Sequence, residues 1–322
     1  MNPVIAEVVR GKVVESVHHG IIAVTRRGKV VFRRGDIDRP TVLRSTAKPM
    51  QALSVLASGA AERFGLTDAE VALVCSSHEG SDLQRATAQG ILSKIGLGEA
   101  DLKCGAHVPD DKAARALLAR EGRDPTPIFS NCSGKHSGML AACVAKGWPI
   151  GNYLDLGHPL QKANLAAVKR LSGARTVPVA IDGCSAPTFA IPLWRLALAF
   201  ERLFSSDDPA CARVRRSIAG HPEMMSTLVA RILKAGGGEV LAKEGAEGVI
   251  ALAIPSARIG IAIKVLDGSF RPQLPLVAAI CRRLRAPAGE ALKGMAALED
   301  GVLKNYRGLV TGRLTVRLSA RG

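Results

Sequence analysis

The chain has 322 residues, of which 47% are apolar and 22% charged, and this balance excludes a disordered chain, a collagen-like repeat and a small disulfide scaffold. Its 44 basic and 28 acidic residues give a net charge of +16. Because the basic residues are scattered in small groups and only 3% of the residues are aromatic, we interpret the charge as an arginine-rich surface and expect no nucleic-acid partner.

The first part of the chain has the pattern of β-strands. Residues 4–32 alternate between apolar and polar positions, and Gly11, Gly20 and Gly28 separate the apolar runs. Alternation with a period of two is typical of strands that are buried on one face. The pattern therefore predicts an antiparallel meander with turns at the three glycines.

The centre of the chain changes to helical periodicity. Between about residues 45 and 235 the apolar residues recur at helical spacing, and helices are expected to dominate there. Towards the end, residues 248–266 predict a hairpin, residues 276–286 a helix and residues 313–318 a closing strand. Strands on both sides of a helical centre favour an α+β fold, with one antiparallel sheet built from both termini and an inserted helical region. We expect a single catalytic domain over residues 1–322.

The first chemically suggestive motif is an S-x-x-K spacing at Ser45 and Lys48, directly before the apolar run 50–60. Three residues of helix place a hydroxyl and an amine on one face, where the amine can accept the hydroxyl proton. Because Pro49 is tolerated only in the first turn of a helix, the pair must lie at the start of that helix. The alternative is a serine that caps the helix and a solvated lysine.

Three polar segments follow apolar runs that we predict to be strands, at residues 71–74, 127–129 and 177–181. The polar segments are residues 75–80, 131–138 and 182–187. Polar residues that leave a strand end are well placed for a site. The alternatives are helix capping by Ser77 and Ser81 in the first segment and a plain turn with a buried thiol in the third. Spacing alone gives little support for a metal site, since Cys132 and Cys184 lie far apart in the sequence.

A fifth candidate is Lys264, in an apolar run that predicts a strand. Ile261 and Ile263 share one face of this strand, whereas Gly260, Ala262 and Lys264 share the other. A face of small residues that ends in a lysine lets a helix pack closely and lets the amine reach a site. An exposed lysine on a half-solvated sheet explains the pattern equally well.

The cysteines and the apolar runs indicate where the protein works. Seven cysteines occur, an odd number, and none forms a C-x-x-C pair, which argues against a disulfide framework. The N-terminal residues do not resemble a signal peptide, and no apolar run approaches the roughly 18 residues of a membrane span. We therefore expect a cytoplasmic protein with no membrane partner.

Together, these motifs resemble the asparaginase II family, the rhizobial-type or class 3 L-asparaginases. The resemblance covers nearly the whole chain and rests on RSTAKPMQ at 44–51, SSHEG at 76–80, NCSGKHSGM at 131–139, DGCSAP at 182–187, KEGAEGV at 243–249 and GIAIKVLDG at 260–268. It implies a fold similar to that of serine β-lactamases and glutaminases. It also implies a homodimer that hydrolyses L-asparagine to L-aspartate and ammonia without an organic cofactor.

The resemblance also implies roles for particular residues. Ser45 with Lys48 and Ser77 with Lys264 would form two Ser–Lys pairs around one site, with Ser45 as the nucleophile and Lys48 as its base. Zinc would be a supportive ion, not required for the chemistry. The residues that the resemblance assigns to substrate binding are Arg44, His136 and Asp182, and those that it assigns to zinc are Cys132, Lys135 and Cys184. The chain departs from the family pattern at Glu244, where a second glycine is expected.

Two other functions compete with this interpretation. A β-lactamase or other penicillin-recognising serine hydrolase shares the S-x-x-K spacing, but this chain has no S-D-N motif and carries Val265 and Leu266 after the strand lysine. The other rival is a non-enzymatic metal or nucleic-acid binding protein. A chromogenic β-lactam tests the first rival, and the salt dependence of DNA binding tests the second.

Overall fold

The structure is a computed structural model that describes residues 2–299 and 301–319. The strands are β1 (Val4–Arg10), β2 (Val13–Arg26), β3 (Lys29–Arg34), β4 (Pro40–Val42), β5 (Val179–Ile181), β6 (Pro187–Pro192), β7 (Leu241–Gly245), β8 (Val249–Ile254), β9 (Ile259–Val265), β10 (Val302–Lys304) and β11 (Val310–Val316). The helices are α1 (Lys48–Ala57), α2 (Ala60–Arg63), α3 (Asp68–Val74), α4 (Asp82–Lys94), α5 (Lys112–Glu121), α6 (Ser133–Lys146), α7 (Pro159–Ser172), α8 (Leu193–Phe204), α9 (Pro209–Gly220), α10 (Thr227–Ala235), α11 (Gln273–Leu284) and α12 (Gly289–Ala297).

The chain divides into two compact units. The first comprises Met1–Thr41, Ile191–Ser205 and Arg231–Gly322, and the second comprises Val42–Ala190 and Ser206–Ala230. The single catalytic domain stays a prediction. In the described ranges no helix has both the length and the apolar character that crossing a membrane requires.

The first unit contains the large antiparallel sheet, in the order β10–β11–β1–β2–β9–β8–β7, with β3 also paired to β2. Ala6 of β1 lies opposite Val316 of β11, so the first and last strands are neighbours. This pairing confirms the predicted α+β fold with one antiparallel sheet built from both termini. The predicted N-terminal meander, the C-terminal hairpin and the helix after it are confirmed as well.

One predicted turn in the meander is wrong. Gly20 does not end a strand, because β2 continues through it from Val13 to Arg26. A Cβ at Gly20 would lie 2.2 Å from Ile5 Cδ1 and 2.6 Å from the carbonyl oxygen of Lys264. Glycine is therefore required there by the close approach of neighbouring chain segments and not by a turn.

In the first unit, helix α8 packs against the face of β9 that carries the small residues Gly260 and Ala262. A Cβ at Gly260 would lie only 1.9 Å from the carbonyl oxygen of Ala197. Only glycine allows the helix backbone to approach the strand this closely. Lys264 lies on the same face, four residues further along β9.

The second unit contains the predicted helical region, in which α1, α3, α4, α6, α7 and α9 pack against one another. Helices α3 and α6 approach closely, because a Cβ at Gly134 would lie 2.6 Å from Leu73 Cγ and 2.8 Å from the Leu73 carbonyl oxygen. This packing holds the segment after α3 beside the start of α6. Both segments carry candidate site residues.

Two of the three predicted strands in this unit are wrong. Residues 71–74 belong to helix α3, which starts with a reciprocal capping box between Thr67 and Glu70. All four residues are buried, so that this apolar run resembles a strand. Pro127–Phe129 forms a 3₁₀ turn. The third prediction is confirmed in part, since β5 covers Val179–Ile181.

Candidate active site

The Ser45 to Lys48 segment lies where the sequence places it, at the start of a helix. Arg44–Ala47 forms a 3₁₀ turn that leads into α1, Lys48 is the first residue of α1, and Pro49 occupies its first turn. Arg44 has a φ of +49°, which is uncommon for a residue with a side chain. The backbone N–H of Lys48 donates to the Ser45 carbonyl. The turn is therefore tightly specified.

The amine of Lys48 is buried, with 2% of the residue exposed. Nζ donates to Ser77 Oγ at 3.0 Å, to the Ser76 carbonyl at 2.7 Å and to the Asn131 carbonyl at 3.2 Å. An ammonium has three protons, and these three acceptors use all of them. In the part of the chain that the structure describes, no hydrogen bond joins Lys48 Nζ to the half-buried Ser45. The structure thus brings Lys48 together with Ser77, from the other proposed pair.

Capping explains one serine after α3 but not the other. Ser81 caps α4 through a capping box with Gln84. The capping alternative is therefore confirmed for this serine. Ser77, four residues before Ser81, instead accepts a hydrogen bond from Lys48 Nζ. The adjacent Ser76 is fully buried, and its Oγ has no hydrogen-bond partner in the described ranges.

His136 lies on α6 and is fully buried. Its Nδ1 is 2.7 Å from the Tyr153 hydroxyl, which in turn accepts the backbone N–H of Lys103 at 3.0 Å. The hydroxyl therefore donates to Nδ1, and this network assigns the ring proton to Nε2. Burial, with the charges of Lys135 and Lys48, holds the pKa of His136 well below its ordinary value. The neutral ring keeps a buried Nε2–H that has no partner in the described residues.

Arg44 and Asp182 form an ion pair, with Arg44 Nε 2.6 Å from Asp182 Oδ1. The same carboxylate oxygen accepts the backbone N–H of Gly183 at 2.8 Å. Burial alone would raise the pKa of Asp182, but the hydrogen bond and charge of Arg44 hold it below its usual value. Two of the three residues that the resemblance assigns to substrate binding therefore lie together, and each neutralises the other.

Cys132, Lys135 and Cys184 converge, all of them buried. Lys135 Nζ donates to Cys184 Sγ at 2.8 Å. A hydrogen bond from Cys184 is the largest effect that holds the pKa of Cys132 well below its ordinary value, and the same bond raises the pKa of Cys184. For Lys135, burial would lower the pKa, but the charges of the two sulfurs raise it above its ordinary value.

This trio fits zinc in the chemistry of its donors. Two sulfurs and one nitrogen are zinc ligands when they are deprotonated. No group of three His, Cys, Asp or Glu residues able to hold a metal occurs in the described ranges. The third protein ligand would therefore be the Lys135 amine after loss of a proton.

Lys264 lies in the first unit. It is half-buried on β9, and its Nζ donates to the carbonyl oxygen of Glu247 in the β7–β8 turn. Its pairing with Ser77 stays a prediction.

Sequence reasoning missed two residues at this site. Tyr153 orients His136, and His107 Nε2 accepts the backbone N–H of Asn131 at 2.9 Å. Neither residue lies in a motif with a chemical spacing, so only folding reveals its role.

Comparison with known proteins gives one strong match. The family described as L-asparaginase II matches residues 6–316. No curated protein sequence matches the chain significantly.

Among solved structures the similarity is low. The chain resembles a putative β-lactamase from Bacteroides dorei with 13% identity, coverage of 77% of this chain and 85% of that one, and a TM-score of 0.41. It resembles a class C β-lactamase from Rhodobacter sphaeroides with 15% identity, coverage of 87% and 93%, and a TM-score of 0.38. A β-lactamase from Mycobacterium bovis has 14% identity, coverage of 87% and 92%, and a TM-score of 0.35.

Proposed function

Since the chain belongs to the L-asparaginase II family, we propose that this amidohydrolase converts L-asparagine and water to L-aspartate and ammonia. The observation that carries the proposal is the buried Lys48 amine, bonded to Ser77 Oγ and one helical turn from Ser45. This arrangement supplies two hydroxyls and a proton acceptor within one short region. It is the equipment that nucleophilic attack on an unactivated amide requires.

Ser45 is the proposed nucleophile. Its oxygen attacks the side-chain amide carbon, its proton passes to the neutral form of Lys48, and the carbon–nitrogen bond breaks as the nitrogen takes a proton and leaves as ammonia. Water then attacks the aspartyl ester and releases L-aspartate and the serine hydroxyl. Lys48 must first give up one of its three hydrogen-bonded protons. Ser77, whose Oγ accepts from Lys48 Nζ, is the proposed group that takes this proton. Lys264 is the proposed partner of Ser77 in the second Ser–Lys pair.

The substrate is a zwitterion, and the site offers both charges that it needs. In this proposal the Arg44 guanidinium binds the α-carboxylate, and Asp182 binds the α-ammonium. The unpartnered Nε2–H of His136 is a further donor for a substrate oxygen. Because Arg44 and Asp182 already pair with each other, the substrate exchanges one ion pair for two and exposes no buried charge.

Zinc is proposed as a supportive ion held by Cys132, Lys135 and Cys184. When bound, it would link Cys132 and Lys135 at the start of α6 to Cys184 in the turn after β5, and its role there would be structural. The test is the metal content of the purified protein against that of Cys184→Ser, together with the thermal midpoint of each after chelation. Loss of zinc in the variant supports the site, and equal metal content contradicts it.

We propose a homodimer in the cytoplasm, as the family resemblance implies. None of the seven cysteines, all of which lie in the described ranges, forms a disulfide, which supports a reducing compartment. Light scattering of the purified protein tests the dimer, and a monomer at micromolar concentration contradicts it.

The decisive experiment measures ammonia release from L-asparagine, with L-glutamine alongside. We expect Ser45→Ala to lower kcat/KM at least about 10³-fold, as loss of a nucleophile does. Mass spectrometry of enzyme quenched during turnover should find the aspartyl adduct on the peptide that contains Ser45. An adduct on Ser77 would move the nucleophile there, and hydrolysis of a chromogenic β-lactam without amidase activity would favour the penicillin-recognising alternative.

A further inference from the structure

The position of the Lys48 amine depends on two separate loops. Ser76 and Ser77 lie in the loop between α3 and α4, whereas Asn131 lies in the segment before α6. A lysine side chain has four rotatable bonds and does not hold its own nitrogen in place. The spacing between the two loops therefore decides where the amine sits.

His78 connects these two loops. Its Nδ1 accepts the backbone N–H of Gly80 at 3.1 Å, and its Nε2 lies 2.9 Å from Ser133 Oγ. Because Nδ1 accepts, the ring proton is on Nε2 and is donated to Ser133, whose hydroxyl donates to the Ile128 carbonyl at 3.1 Å. One end of the imidazole thus contacts the first loop, and the other end contacts the first residue of α6, directly after the second loop.

The backbone of His78 reaches the same carbonyl that Lys48 uses. Its N–H donates to the Asn131 carbonyl oxygen at 3.3 Å, so that oxygen accepts from both residues. The turn after His78 is also tightly packed, because a Cβ at Gly80 would lie 2.8 Å from Pro109 Cβ and 3.1 Å from the Phe129 carbonyl oxygen. The first loop is therefore packed closely at Gly80, and a shift of the two loops relative to each other would cause steric clashes.

We propose that His78 is a positioning residue that clamps the two loops together and so holds the acceptors of the Lys48 amine in place. It touches neither the substrate nor a reacting atom. Only 1% of it is exposed, and burial with the charges of Lys48 and His107 lowers its pKa to about 3, so the ring is neutral near pH 7. The role in catalysis rests on the function proposed above.

The chain contains a matched control for this clamp. His158 is also buried, accepts the N–H two residues ahead (Leu160) through Nδ1 at 3.2 Å, and lies 3.0 Å from the Pro149 carbonyl through Nε2. It bonds to neither loop that surrounds Lys48. His78→Leu and His158→Leu therefore remove equivalent hydrogen bonds, and only the first affects the clamp.

The test compares His78→Leu, His78→Gln and His158→Leu in the full chain. For His78→Leu we expect kcat to fall about 10²-fold while KM changes less than about threefold, since small misplacements of reacting groups act on the chemical step. His158→Leu should lower the thermal midpoint similarly and leave kcat within about threefold. His78→Gln keeps a donor near the Nε2 position and should recover much of the lost kcat.

Hydrogen–deuterium exchange measures whether the two loops are held together, and it does not depend on catalytic activity. In His78→Leu, exchange should rise in peptides that cover residues 76–80 and 127–133, and in His158→Leu it should not. Unchanged exchange in residues 127–133, or an equal loss of kcat in His158→Leu, overturns the proposal. If the wild-type protein hydrolyses no amide, the proposed function fails, and the exchange measurement alone decides whether His78 clamps the loops.

Discussion

The buried ion pair of Lys243 and Glu244 offers a sharp test of how this fold is stabilised. Lys243 is 0% exposed, and its Nζ donates to the Glu244 carbonyl at 2.8 Å and to Glu244 Oε1 at 2.9 Å. The other carboxylate oxygen, Oε2, is buried without a hydrogen-bond partner in the described ranges. Lys243 is therefore the cation that makes the buried carboxylate tolerable.

Replacing Lys243 with Met keeps the length of the side chain and removes its charge. The Glu244 carboxylate then stays buried without a counter-charge, which costs about 3–5 kcal/mol of unfolding free energy. Glu244→Gln alone should cost less, about 1–2 kcal/mol, because Lys243 retains the carbonyl. The double variant removes both charges, so we expect it to be more stable than Lys243→Met by about 2 kcal/mol.

Urea unfolding followed by circular dichroism measures these differences. Lys293→Met is the control, since its ion pair with Glu290 is exposed and its loss should leave the midpoint almost unchanged. A Lys243→Met variant within about 1 kcal/mol of the wild type refutes the reasoning. So does a double variant that costs as much as the two single variants together.

Three further predictions concern the second unit. Tyr153→Phe leaves the buried His136 Nδ1 and the backbone N–H of Lys103 without the hydroxyl, so it should cost about 1–3 kcal/mol and raise KM for L-asparagine. Unfolding and steady-state kinetics check this, and an unchanged KM contradicts the role of His136. Gly134→Ala forces a methyl group against α3, so we expect a loss of about 1–3 kcal/mol in urea unfolding, whereas a gain would show that the helices separate freely. The hydrogen bond from Arg216 lowers the pKa of Asp68, so the pair stabilises above the unfolded pKa near 4 and this contribution is lost as pH falls through the lower folded value. Asp68→Asn should accordingly lower the thermal midpoint slightly at pH 7 and have less effect as the pH falls through the folded value, and an equal loss at both ends of this range would exclude the ion pair as the cause.

Much of the fold was predictable because its signals are local. The alternation in residues 4–32 and 248–266 predicts strands, since side chains of a half-buried strand alternate between core and solvent. Pro49 places Lys48 at the start of α1, since proline is tolerated only in the first helical turn. The short apolar runs gave wrong strand predictions, because a buried helical segment has no polar face to reveal its period.

The sequence by itself determined most of the strands and helices, apart from the short buried runs, and which motifs carry reactive side chains. Only the tertiary structure decided which of those side chains meet. Ser45 and Lys48 are three residues apart, yet the Lys48 amine bonds to Ser77 and to two carbonyls from separate loops. Spacing along a helix brings two side chains to one face, but the rotamers of a flexible amine follow the acceptors that the packed helices place around it. The Arg44–Asp182 pair joins residues 138 positions apart, and no local pattern in either segment predicts that contact.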